Sequence, residues 1–135
     1  MNRKLFGALA IAILALVVNV NAQSKLKADV PFGFAIGNQA LPAGTYSVQP
    51  VADHEIAVRN AESRKAIMHQ VQSAERLNSP GPKLVFHKYG DSYFLYEIWT
   101  GSNIGMEIPA TAREKELKMA RTEGPAPQEV VVALR

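Results

Sequence analysis

The sequence predicts an all-β fold, a β-sandwich or small β-barrel of about 7–8 strands, with one short helix near the C-terminus. Apolar residues alternate with period two from residue 25 to residue 108, as strands with one buried face require. Turn chemistry recurs every 8 to 12 residues, which suits short antiparallel strands. Only one later segment, 111 to 121, changes to a helical pattern.

The first strand region carries Leu26, Ala28, Val30, Phe32, Phe34 and Ile36 on one parity, with Lys25, Lys27 and Asp29 on the other. Pro31 removes a ladder donor there, so an edge position or a bend is expected. Gly33 and Ala35 leave the opposite face bare, open to close packing. Gly37-Asn38 and Leu41-Pro42-Ala43-Gly44 are turns. Thr45 to Val51 is a strand with Tyr46 and Val48 inward, and Glu55 to Arg59 another with Ile56 and Val58. Asn60 to Arg64 is a hairpin loop, after which Ile67, His69 and Val71 resume the alternation. Residues 73 to 82 are irregular, with Asn78-Ser79-Pro80-Gly81-Pro82 as the breaker.

Residues 84–89 and 92–100, joined by Gly90-Asp91, form a tight hairpin. It is apolar on both parities, with Phe94, Tyr96 and Ile98 on one and Tyr93, Leu95 and Trp99 on the other. Strands buried on both faces have this pattern, which places the hairpin at the centre of the fold. Ile104, Met106 and Ile108 add a short strand. Thr111-Ala112-Arg113-Glu114 is a capping box, Glu114 and Lys118 are spaced as a favourable i,i+4 pair, and a helix over 111–121 follows on the outside of the sheet. Glu129 to Leu134 is the last strand.

The beginning of the chain is of another kind. Arg3 and Lys4 precede an uncharged apolar run from Leu5 to Val18, then Val20-Asn21-Ala22, a small-residue cleavage pattern. The expected organisation is a Sec-type signal peptide at 1–22, cleaved before Gln23, and a single β domain at 23–135. The apolar run is shorter than the ~20 residues of a spanning helix, so no membrane span is expected after cleavage. No Cys follows the run to accept a lipid and no Arg pair precedes it, so a lipoprotein and the twin-arginine route are excluded. The destination is the periplasm or the medium. Transmembrane barrel strands are longer than most of those here.

Of 15 basic residues, Arg3 and Lys4 leave with the signal; 13 basic then face 12 acidic residues, a net charge of +1. The sequence pI of 9.3 therefore reflects the leader in part, and nucleic acid is not an expected partner. With no Cys, stability rests on packing and strand pairing.

Catalytic chemistry finds no foothold, and no cofactor is implied. His54, His69 and His87 lack metal-motif spacing, so no metal site is assigned. No Gly-x-Ser-x-Gly elbow activates a serine, and Asp91, Glu97 and Glu107 offer carboxylates without a deep cleft. The aromatic cluster Phe86, Tyr89, Tyr93, Phe94, Tyr96 and Trp99 serves core packing first. Its exposed part, Lys88, Tyr89, Tyr93 and Trp99, is the candidate binding surface, with Lys88 and Tyr93 cross-strand partners under a two-residue loop. The expected role is an exported, non-catalytic β module whose partner is a component of the cell envelope or a small apolar ligand. The alternative is a small-molecule carrier with a barrel interior.

Val30-Pro31-Phe32-Gly33-Phe34, Leu41-Pro42-Ala43-Gly44-Thr45-Tyr46, residues 84–95 and Ile98-Trp99, in that order, resemble a group of small exported all-β proteins of unknown function, numerous in acidobacteria. The resemblance implies a signal peptide and a mostly β domain, and brings no catalytic residues with it.

Overall fold

A computed structural model describes residues 26–78, 81–120 and 127–135. The signal peptide and its cleavage point lie outside the described residues. No helix among the described residues is long and apolar enough to cross a membrane.

Among the described residues, eleven strands and one helix follow one another: β1 Leu26–Val30, β2 Phe34–Ile36, β3 Gln39–Leu41, β4 Gly44–Ala52, β5 Glu55–Asn60, β6 Ala66–Gln70, β7 Gln72–Glu75, β8 Lys83–Tyr89, β9 Ser92–Trp99, β10 Ile104–Glu107, α1 Ala112–Met119 and β11 Gln128–Ala133. The all-β class with one short C-terminal helix is as predicted. The strand count is higher because of β2, β3 and β7, of three or four residues each. Pieces this short carry too little periodicity to read; pairing with distant partners makes them strands. β7 is the clearest case: Gln-Ser-Ala-Glu is a poor strand sequence, expected to be irregular from Ser73 on, yet it lies in register along β10.

β1, β4, β5 and β6 form one antiparallel sheet in that order; the larger sheet runs β11-β8-β9-β10-β7. On the free edge of β9, β10 pairs with its C-terminal half, while β2 makes a parallel bridge, Ala35 to Phe94, at the other. The first alternating region is therefore split between the sheets, turning at Pro31 as its missing donor suggests. The sheets join on both sides. β6 runs through buried Val71 into β7, and Lys27 and Arg135 exchange both backbone hydrogen bonds at 2.9 Å. The perimeter is that of a flattened barrel.

Its interior is filled. Ala28, Val30, Phe34, Ile36, Tyr46, Val48, Ile56 and Val58 meet Leu84, Phe86, Leu95 and Ile98, all at most 5 % exposed. Phe34 contacts both Tyr46 and Phe86 edge to face, with centroids 5.1 and 5.3 Å apart. Local chemistry fixes the corners. Tyr46 donates its hydroxyl to the Pro42 carbonyl at 2.6 Å, which ties the Leu-Pro-Ala-Gly turn to β4. Asn60 accepts from the Glu62 and Ser63 amides at 2.8 and 3.0 Å, closing the β5–β6 loop. Asn60 is 9 % exposed, so Asn60→Ala should cost about 1–3 kcal/mol, read as a lower urea midpoint at unchanged m-value.

The β8–β9 hairpin turns at Gly90-Asp91 with Tyr89 opposite Ser92. Gly90 has φ 62°, the value that the first position of a II′ turn requires. β8 and β9 are central, as expected, but their ladder is not regular. Val85 faces Glu97 and Phe86 faces Leu95, so Tyr96 is an extra residue, a β-bulge. Leu95 and Ile98 both enter the core, while Tyr96 and Glu97 both stand outside. The two-parity assignment of this strand is thereby corrected: beyond Tyr96 the faces exchange, and Ile98 points inward while Trp99 points outward.

Candidate functional site

The bulge decides where Trp99 goes, while Lys88, Tyr89 and Tyr93 lie in the regular register between it and the turn. Lys88 and Tyr93 are cross-strand partners, with the Lys88 ammonium 5.4 Å from the Tyr93 ring centroid. Tyr93 stacks on Phe32 at 3.9 Å and 15°, and Phe32 meets buried Phe86 edge to face. This stack closes the core beside the Gly90-Asp91 turn. Tyr89 and Trp99 sit on the opposite face of the sheet, at 5 % and 0 % exposure. The four residues are thus not one surface: two seal the interior and two are buried on the outside.

Trp99 occupies a fixed niche. Its indole lies against Gly105, where an added Cβ would stand 2.6 Å from Cε3. Its Nε1–H donates to Glu97 Oε2 at 2.6 Å, and Arg76 both pairs with Glu97 at 2.9 Å and lies 5.3 Å from the indole centroid. Glu97 is satisfied by these partners, which makes the trio a structural unit.

A different set of side chains shapes a pocket of about 260 Å3 on this outer face, between the sheet and α1. His87 of β8 and Tyr96 of β9 stack with centroids 3.9 Å apart at 24°. His87 pairs with Phe94, so Tyr96, two residues on, is its diagonal neighbour on the same outer face. Glu107 enters from β10, cross-strand from Glu97. Glu114 enters from α1, whose N-cap Thr111 accepts the Glu114 amide at 3.3 Å. Only this half of the expected capping box forms. The Glu114 carboxylate turns into the sheet, 6 % exposed, with Oε1 3.6 Å from His87 Nδ1 and accepting a long 3.4 Å bond from Tyr89. The His87–Glu114 contact is an ion pair whenever the imidazole is protonated. The expected Glu114–Lys118 pairing gives way to these buried partners. Lys115 and Lys118 line the rim.

Burial raises the Tyr89 phenol above its ordinary value of 10, with Glu114 adding to the effect. Tyr96 is raised likewise, by burial first and then by Glu107, Glu97 and Glu129. Both phenols are therefore donors at neutral pH. The consequence for stability has a definite sign. Above about pH 10 the unfolded chain releases these protons before the folded one does, so stability falls as pH rises through that range. The urea midpoint should drop between pH 8 and pH 10.5, and less steeply in the Tyr89→Phe, Tyr96→Phe double variant. Equal slopes would contradict the burial of these hydroxyls.

Gly33 and Ala35, the expected bare face, line a second hollow of about 210 Å3 with Tyr93, Phe94 and Arg113. The three histidines fall in three places: His54 in the β4–β5 turn, His69 against Gly37, and His87 in the pocket. Among the described residues no three His, Asp or Glu side chains converge as a metal site.

Sequence reasoning missed the pocket because its members are scattered over β8, β9, β10 and α1. The one legible hint was His87 interrupting an apolar strand. No protein-family model, curated protein or solved structure matches this chain.

Proposed function

We propose that this chain is an exported, non-catalytic β module that binds its partner through the pocket between the larger sheet and α1. The observation that carries this reading is the His87–Tyr96 stack beside the buried Glu114 carboxylate. A ring surface and fixed polar groups converge there, as ligand sites require. The filled interior weighs against a carrier, and the tight niche of Trp99 removes that residue from contact with a partner. Export rests on the leader pattern at 1–22.

Two measurements test the proposal. Intact mass of the protein recovered from periplasm or medium should lack residues 1–22; a mass that retains them contradicts cleavage. Amide chemical-shift mapping with a library of small fragments should concentrate shifts on His87, Tyr96, Glu107 and the first turn of α1. Shifts centred on Phe34, Tyr46 and Ile56 would instead place binding in the barrel interior.

A further inference from the structure

We infer that the pocket between α1 and the larger sheet takes a neutral sugar ring, a pyranose, an inference that rests on the binding role proposed above. The size comes first. At about 260 Å3 the pocket lies just under the range of drug-sized sites, about 300–1,000 Å3, and suits a single ring with its substituents.

Charge comes second. Two carboxylates, Glu107 and Glu114, face two ammonium groups, Lys115 and Lys118, around the same space. A cationic ligand would gain from the first pair and be repelled by the second, and an anion the reverse. A neutral ligand rich in hydroxyls uses both, because carboxylates accept and ammonium groups donate.

Available hydrogen-bonding capacity is the third observation. Among the described residues, Glu107 makes no ion pair or side-chain hydrogen bond, nor do Lys115 and Lys118. Glu114 holds His87 and Tyr89 through Oε1 alone, which leaves Oε2 of a nine-tenths buried carboxylate without a partner among the described residues. A buried acceptor of this kind is costly unless something donates to it. Adjacent hydroxyls on a ring are donors at suitable spacing.

The aromatic pair completes the match. The C–H hydrogens on one face of a pyranose are weakly positive and pack on the negative face of an aromatic ring. Tyr96 and His87 both border the pocket and are already stacked on each other, so little side-chain freedom is lost on binding. A purely apolar ligand would leave the Glu107 and Glu114 oxygens buried without donors.

The test is an amide-shift titration of the purified chain with D-glucose, D-galactose, D-mannose and N-acetyl-D-glucosamine, beside L-arginine and L-glutamate. At least one pyranose should give saturable shifts at His87, Tyr96, Glu107 and Lys115, with a Kd of about the millimolar order. Glu107→Gln and Tyr96→Ala should each weaken that binding at least tenfold. Tyr96→Phe keeps the ring and should retain the stacking contribution, and the thermal midpoint of Glu107→Gln should match that of the parent. Saturation by arginine or glutamate with none by a pyranose would overturn the sugar assignment while leaving the pocket as a binding site. Failure of every probe to saturate would overturn the sugar assignment too. A pyranose that moves only the Lys88–Tyr93 end of the hairpin would overturn both the assignment and the pocket.

Discussion

Trp99→Ala should destabilise the fold by about 3–5 kcal/mol, a large share of the roughly 5–15 kcal/mol that holds a domain of this size together. The indole is fully buried, so truncation removes its packing and leaves a cavity over Gly105. It also deprives Glu97, 5 % exposed, of the Nε1–H donor at 2.6 Å. Trp99→Phe separates the two effects. The ring remains in part while the donor is lost, so the cost should fall to about 1–3 kcal/mol. Urea denaturation at neutral pH measures both. A Trp99→Ala variant within 1 kcal/mol of the parent would mean that the indole is not in this niche.

The second large effect is a change of sign at Gly105. Glycine in a strand interior is normally improved by alanine, by about 0.4–1 kcal/mol, because the unfolded chain loses freedom. Here the new Cβ would stand 2.6 to 2.8 Å from three carbons of the Trp99 ring, which Glu97 and Arg76 hold in place. Overpacking of that kind costs about 1–3 kcal/mol, so Gly105→Ala should destabilise. In the Trp99→Ala background the clash is gone, and the same substitution should be neutral or stabilising. The coupling from the double-mutant cycle should therefore exceed 1 kcal/mol, well above the few tenths expected of independent sites. Additivity would contradict the Trp99–Gly105 contact.

These effects bear on what a sequence can reveal. The strands with clean alternation, β1, β4 and β5, were legible because one buried face forces period two; Ala28, Val30, Tyr46, Val48, Ile56 and Val58 all enter the core as the pattern requires. The Gly90-Asp91 turn and the Thr111 cap were legible because their chemistry is local. The division of β1 and β2 between two sheets was not, since it depends on partners far away in sequence. Neither was the bulge: in a strand apolar on both parities, nothing local marks the residue at which the faces exchange. One extra residue, Tyr96, thus carried Trp99 to the outer face, where it fills a niche instead of forming part of the expected binding surface. Lys88 and Tyr93 pair as the two-residue loop demands, but they pack on Phe32 and cap the core. Glu114 looked like a capping residue and in fact carries the pocket's buried carboxylate.

The Trp99 niche depends on the exchange of faces beyond Tyr96, and the pocket on Tyr96 standing outside with His87; nuclear Overhauser contacts of the β9 side chains test both most directly. The Trp99 ring should show contacts to the Gly105 α-hydrogens, shifted upfield by the indole, and Tyr96 should show contacts to the His87 ring. Contacts from Trp99 to Leu84 and the core, where unbroken alternation would turn it, would contradict the bulge, and a Tyr96 ring without contacts to His87 would contradict the pocket.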